Sequence, residues 1–72
     1  MENDFERCKK RLAAEVLKRR KEKNISQEQL ALEADVDRTY ISQLEREIAN
    51  PSLQILCRVA QVLQCNVSDL MG

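Results

Sequence analysis

Two helix start signals lie unusually close together in this chain, and they constrain its fold more than any other feature. Ser26 followed by Gln29 forms a capping box, in which each side chain can bond to the other residue's backbone N–H. Asp37 is a second good N-cap residue, so the helix that begins after Ser26 has to end near Ala34. The pattern predicts two short amphipathic helices joined by a tight turn.

The helix that begins after Asp37 has an apolar side and a polar side. At about 100° per residue, Ile41, Leu44 and Ile48 fall on the inner side. The opposite side is rich in hydrogen-bond donors, and acidic residues avoid its centre; its members are Arg38, Thr39, Ser42, Gln43 and Arg46. Tyr40 and Glu45 lie at the two borders. Two short helices with such a connection have the geometry of a helix-turn-helix motif.

Three further helices are predicted around this pair. The first runs from about Asp4 to Lys23 and ends at Asn24, a residue that tolerates left-handed geometry. Its inward positions are Phe5, Leu12 and Val16, with Cys8 and Ala13 as further candidates. In the helix that follows Ser26, the inward positions are Leu30, Ala31 and Ala34.

Pro51 interrupts the chain, and Ser52 can cap a fourth helix over residues 53–63. Its expected core positions are Leu53, Leu56, Cys57, Ala60 and Leu63. Asn66 with Asp69 three residues later resembles a second capping box and predicts a short last helix from Val67.

Composition supports an all-α domain and argues against an enzyme. The chain has 72 residues, 43% of them hydrophobic, with one Gly and one Pro, which suits a single compact helical domain over residues 1–72. Three cysteines without CxxC spacing predict neither a disulfide framework nor a zinc site. No His and no phosphate-binding Gly loop is present, so we expect no catalytic residue, no metal and no cofactor. No signal peptide or membrane span is recognised, and a cytoplasmic location is expected.

The charges balance overall but are unevenly placed along the chain. Residues 1–23 hold nine basic and five acidic residues, whereas residues 24–48 hold two basic and six acidic ones. A case for nucleic-acid binding therefore has to rest on local arrangement rather than on net charge.

The run ISQEQLALEADVDRTYISQLEREIANPSLQILCRVAQVLQCNVSDL resembles the Cro/repressor-type (XRE) helix-turn-helix family. The resemblance covers about residues 12–71 and rests on SQEQLA, DRTYISQLER, NPSL and the spacing from these to LQCNVSDL. It implies a compact, all-α, five-helix lambda-repressor-like domain that binds double-stranded DNA, with the helix-turn-helix at about residues 26–46. Its third helix would lie in the major groove. DRTYIS is also frequent in restriction-modification controller proteins.

The same resemblance assigns roles to individual residues. Those expected at base edges are Arg38, Thr39 and Gln43, with Tyr40 or Ser42 nearby. Their chemistry fits, because Arg can pair with guanine, Gln with adenine, and Thr can contact a thymine methyl. Residues expected to contact phosphate are Gln27, Arg46, Asn50 and Ser52. Tyr40 has two open roles, a DNA contact or packing beside the turn.

The family also implies two structural features. An Arg near the end of the first helix commonly pairs with a Glu late in the third, which here are Arg20 and Glu45. The last helix is often a homodimer interface, here with Val67, Leu70 and Met71.

The chain departs from the family pattern at two turn positions. Asp35 stands where Gly is usual, and Asp enters left-handed geometry better than most residues. Glu47 replaces the Gly that often ends the third helix, so either that helix runs longer or Glu47 is strained.

The leading hypothesis is a sequence-specific transcriptional regulator that binds a palindromic operator as a homodimer. Within this class, a phage-type repressor, a restriction-modification controller and a toxin-pair antitoxin remain open. The absence of an added sensor or toxin-binding tail favours the first two. The alternative from another class is a helical protein-interaction module, or an antitoxin-like subunit with weak DNA contact.

Overall fold

The computed structural model describes residues 3–71, and this part of the chain is entirely helical, without a strand. Its five helices are α1 (Asp4–Glu22), α2 (Gln27–Ala34), α3 (Arg38–Glu45), α4 (Leu53–Val62) and α5 (Val67–Met71). The predicted all-α, five-helix fold is confirmed. No helix in residues 3–71 is both long enough and apolar enough to span a membrane.

The helix starts follow the predicted capping residues. Ser26 Oγ accepts a hydrogen bond from the Gln29 backbone N–H at 3.0 Å, and Ser52 Oγ accepts one from Ile55 at 3.2 Å. The reciprocal bond of the first capping box is not formed, and the Gln29 side-chain Nε2 donates to Glu33 at 2.6 Å. Capping by a hydroxyl oxygen thus fixes where α2 and α4 begin.

All four helices from α1 to α4 end in the same backbone motif. One or two residues beyond the last residue of each helix, a residue has a positive φ of about 60°, and none of these residues is Gly: Asn24, Asp35, Glu47 and Gln64. After α3, the Ile48 N–H donates to the Gln43 carbonyl at 2.8 Å and the Glu47 N–H to that of Leu44 at 3.3 Å. This is a Schellman motif, which occupies the otherwise unpaired last carbonyls. It requires left-handed geometry from residues with a Cβ, at a conformational cost.

The core lies where α1, α2, α3 and α4 meet, and α5 closes it against α1. Its completely buried side chains come from all five helices: Val16, Leu30, Ile41, Leu44, Val59 and Leu70. The predicted inner faces of α2 and of the middle of α1 are therefore confirmed. This core holds α3 against the body of the domain while leaving its opposite side in solvent.

Four predicted core positions are wrong. Phe5, Ile48 and Leu53 are 52%, 56% and 70% exposed, and Cys57 is also exposed. Ile48 lies outside the core because α3 ends at Glu45, so the helical period that placed it inward no longer applies. Phe5 and Leu53 lie in the first turns of their helices, and Cys57 lies one turn after Leu53 on the same side of α4.

In α4, the inward side is formed by Leu56, Val59, Ala60 and Leu63, and Val59 was missed. This stripe is rotated away from Leu53 and Cys57, which turns both of them to solvent.

Candidate nucleic-acid interface

The outer side of α3 is open to solvent at its N-terminal end. Arg38 and Thr39 are exposed, and Ser42 and Gln43 are half-buried, whereas Ile41 and Leu44 on the other side are buried. Arg38, Thr39 and Ser42 line an open pocket of about 230 Å³ together with Gln27 from the start of α2. The helix-turn-helix geometry thus brings side chains from two helix starts to one polar surface.

The C-terminal end of α3 is anchored by an ion pair. Arg20 Nε lies 2.6 Å from Glu45 Oε2, and Arg20 Nη2 lies 3.0 Å from Glu45 Oε1. The third guanidinium nitrogen, Nη1, donates to the carbonyl of Ile25 at 2.9 Å. The two side chains are only 12% and 5% exposed, and the hydrogen bond to Glu45 raises the pKa of the Arg20 guanidinium. This is a bidentate, largely desolvated pair.

Gln27 joins the same cluster, a contact that the sequence did not indicate. Its side-chain Nε2 donates to Glu45 Oε1 at 3.0 Å. Because Arg20 is near the end of α1 and Gln27 begins α2, the Glu45 carboxylate ties three helices together. An amide nitrogen carries two N–H groups, so the second remains available to an external acceptor. No local sequence signal could have found this contact, since the two residues are 18 positions apart.

Tyr40 lies between the outer face of α3 and the core. Its ring packs against the core, and with Gln43 it lines an open cavity between the α2–α3 turn and α4. Burial raises the pKa of its hydroxyl, so the group remains a protonated hydrogen-bond donor at neutral pH. Tyr40 thus combines packing against the core with exposure to this open cavity.

The segment between α3 and α4 holds the other residues for which phosphate contacts were expected. Arg46 is exposed, and its Nε makes only a long 3.4 Å contact with the Ser42 carbonyl. Asn50 is exposed, and Ser52 uses its Oγ as the acceptor that caps α4. The Ser52 O–H can still donate, so its capping role does not consume its hydrogen-bonding capacity.

The three residues expected at a dimer interface have different positions. Leu70 is fully buried within the single chain, and Val67 and Met71 pack against the same core with part of their surface exposed. Leu70 therefore has no surface to offer to a second copy, because its contacts are used to hold α5 against the domain. Of these three residues, Val67 and Met71 keep part of their surface available for such a contact.

The region of residues 3–71 contains no group of three or more Cys, Asp or Glu side chains placed to hold a metal ion. The three thiols are separate from one another: Cys57 is exposed, while Cys8 and Cys65 are half-buried. The polar surface of α3, rather than any cluster of metal ligands, is thus the most developed site.

The short helices α2 and α3, joined by a tight turn, have one buried side and one open polar side, and α3 is anchored at its end. This arrangement is a helix-turn-helix. The helix-turn-helix family model matches residues 16–70. The immunity repressor of Bacillus phage phi105 is 43% identical over 53 residues, covering 74% of this chain and 37% of the repressor. The control protein C.BamHI of Bacillus amyloliquefaciens is 44% identical over 48 residues, covering 67% of this chain and 59% of that protein.

Among solved structures, the N-terminal DNA-binding domain of SinR from Bacillus subtilis superposes with a TM-score of 0.81 at 37% identity. That match covers 85% of this chain and 90% of the SinR domain. The chain belongs to the Cro/repressor-type (XRE) helix-turn-helix family of transcriptional regulators. It spans only 37% and 59% of the lengths of the phage repressor and the control protein. These relatives are regulators, which confirms the prediction that the chain is not an enzyme.

Proposed function

We propose that this protein binds double-stranded DNA sequence-specifically and regulates transcription, with α3 in the major groove. The observation that carries the proposal is the contrast across α3: Arg38 and Thr39 are exposed while Ile41 and Leu44 are buried. An α-helix fits the major groove, and Arg, Gln and Thr are side chains that distinguish base edges there. The SinR domain, which resembles this chain over most of its length, is a DNA-binding domain.

Base contacts are assigned to Arg38, Thr39 and Gln43, with Tyr40 and Ser42 at the edge of the same surface. Backbone contacts are assigned to Gln27, Arg46, Asn50 and Ser52. Support comes from the pocket that Gln27 shares with Arg38 and from the exposure of Arg46 and Asn50. Phosphate contacts of this kind fix the register of the helix, whereas the base contacts select the sequence.

We further propose that the protein acts as a homodimer on a palindromic operator. Two α3 helices related by a two-fold axis would enter successive major grooves about 34 Å apart. On α5, the exposed parts of Val67 and Met71 are the surface available for this contact. The relatives include an immunity repressor and a control protein, so repression and operon control are the two roles that fit best.

The alternative, a protein-interaction module that has lost DNA contact, has less support. It required Val67, Leu70 and Met71 to be free for a protein partner, but Leu70 is buried and its neighbours pack against the core. The open polar face of α3 has no role in that alternative.

The test combines selection of bound duplexes from a random pool with footprinting and sedimentation. We expect an enriched palindrome, a protected region with two major-groove contacts on one face of the duplex, and two protomers per duplex. Binding should weaken steeply with added salt because phosphate contacts release counterions. A protein that enriches no sequence, or binds without dependence on salt, would contradict the proposal.

A further inference from the structure

The first turns of α1 carry a cation beside the segment that connects α3 to α4. The family match begins at residue 16, whereas α1 begins at Asp4, so these turns lie outside the matched region. The sequence did not predict a functional residue in these first turns of α1. The structure brings this extension next to residues for which backbone contacts are proposed.

The contact is made around a small cavity of about 60 Å³. Phe5 and Lys9 line it from α1, and Asn50 and Pro51 line it from the α3–α4 segment. Lys9 and Asn50 therefore border the same small cavity, and Asn50 is exposed and assigned to DNA backbone.

Within residues 3–71, the Lys9 ammonium group contacts an aromatic ring rather than a carboxylate. Its Nζ lies 5.2 Å from the centroid of the Phe5 ring, and Lys9 takes part in none of the ion pairs between these residues. Arg7, two residues earlier, is instead paired with Asp4. A cation resting on an aromatic ring is partly ordered before binding, which lowers the entropy lost when it meets an anion.

The α3–α4 segment has little positive charge of its own. Between Arg46 and Ser52 the cation of Arg46 is opposed by the carboxylate of Glu47, and no other charged residue occurs. Cationic contacts to phosphate dominate the affinity of proteins for DNA. A lysine supplied from α1 would restore positive charge at this edge of the interface.

We propose that Lys9 binds a phosphate of the DNA backbone next to the one contacted by Asn50. Phe5 holds the ammonium group in place. The binding site thereby extends from the helix-turn-helix onto the N-terminal turns of α1. The ligand class is the phosphodiester backbone of a duplex, and the proposal rests on the DNA-binding function proposed above.

The experiment compares the wild-type chain with Lys9→Gln and with the matched control Arg7→Gln, which removes the same charge from the same helix. The ligand is a duplex enriched by the wild-type protein from a random pool, and binding is measured from 0.05 to 0.3 M salt. For Lys9→Gln we expect the loss of one phosphate contact per protomer. Each protomer should then bind about eightfold more weakly at 0.1 M salt, and the slope of log affinity against log salt should be smaller by about 0.9 per protomer. Arg7→Gln should keep the wild-type slope.

Ethylation interference supplies a readout that a change in folding would not imitate. One modified phosphate should block the wild-type protein and the Arg7→Gln variant but should no longer block Lys9→Gln. Phe5→Leu should keep the phosphate contact and weaken binding less than Lys9→Gln, because it removes only the ring that orders the lysine.

Equal salt slopes and equal interference patterns for wild type and Lys9→Gln would overturn the role of Lys9 and leave the proposed function intact. Equal losses in Lys9→Gln and Arg7→Gln would also overturn it, since they would indicate a general charge effect. Failure of the wild-type protein to enrich any duplex would overturn the proposed function, and the role of Lys9 with it.

Discussion

The two ends of α3 differ in how they are held, although they are less than three turns of helix apart. At the start, Arg38 and Thr39 are exposed, and Asp37 occupies the N-cap position without making a side-chain cap bond. At the end, Glu45 is bonded to Arg20 and to Gln27. The start can therefore adjust to a ligand while the end fixes the position of the helix.

This difference separates residues that select a ligand from residues that present the surface. The sequence predicts the same division, with Arg38 on the donor-rich side of α3 and Glu45 at its border, where the family resemblance pairs it with Arg20. In the structure, the carboxylate of Glu45 is almost completely buried, whereas Arg38 faces an open pocket. Substitutions at the two ends should consequently affect different measurements: folding stability at one end, and DNA binding at the other.

The largest effect is expected from Glu45→Ala. Removing one partner of a buried ion pair leaves the Arg20 charge uncompensated, which typically costs about 3–5 kcal/mol of folding free energy. For a domain of this size the midpoint of thermal unfolding should fall by more than about 10 °C. Circular dichroism melts measure this effect, and the folded fraction should keep the base preference of the wild type.

The control for that prediction is Glu33→Ala on the exposed side of α2. It should change stability by no more than about 0.5 kcal/mol. An unchanged melting midpoint for Glu45→Ala would show that the ion pair does not anchor α3.

A smaller effect, on binding alone, is expected from Arg38→Ala. Loss of one base-contacting side chain should weaken specific binding by about 1–3 kcal/mol, with little change in melting temperature because the residue is exposed. Titration of the selected duplex measures this loss. Arg11→Ala removes a charge from α1 and should leave affinity nearly unchanged; equal losses in the two variants would count against a specific role for Arg38.

Glu47→Gly tests the backbone just beyond the anchored end. Glu47 has a φ of 64°, where a side chain with a Cβ is disfavoured, so glycine should stabilise the domain by about 1 kcal/mol. Asp35→Gly at a φ of 59° should gain less, because Asp tolerates this region. Chemical denaturation of both variants provides the comparison. Equal gains, or none at Glu47, would show that no strain is concentrated there.

The smallest effect concerns Cys65, which lies between α4 and α5 near the charged side chains of Arg19 and Asp69. Burial raises the pKa of its thiol above the ordinary value of 9.0, so the folded state holds the proton more tightly than the unfolded state. The resulting stabilisation is fully present below about pH 9 and is lost as pH rises through the raised pKa. Stability measured from pH 7 to 10.5 should fall less steeply in Cys65→Ala. A parallel pH profile in the two proteins would refute this.

The sequence was sufficient to predict the fold because the signals that set α2 and α3 are local. Ser26 caps a helix through a residue three positions away, and the positive φ of Asp35 follows from the turn that must separate two N-caps. Those signals act within one turn of the chain, where residue type and spacing decide the outcome.

The wrong predictions of core positions lie where packing between helices, rather than local sequence, decides which side chain is buried. Nothing local distinguishes Leu53, which is exposed, from Val59, which is buried, because the rotation of α4 depends on its contact with α2 and α5. Likewise, the end of α3 at Glu45 left Ile48 in solvent, and the Glu47 strain was one of two readings that the sequence allowed. The Gln27–Glu45 bond and the cavity shared by Lys9 and Asn50 also depend on long-range contacts.

The base-reading role of Arg38 is tested by sequencing the duplexes that the wild type and Arg38→Ala each select from one random pool, and by comparing their base preferences position by position. The wild type should select a two-fold symmetric motif, and Arg38→Ala should lose the preference at one base pair in each half-site. An identical motif from both proteins would contradict the claim that the open end of α3 reads the sequence.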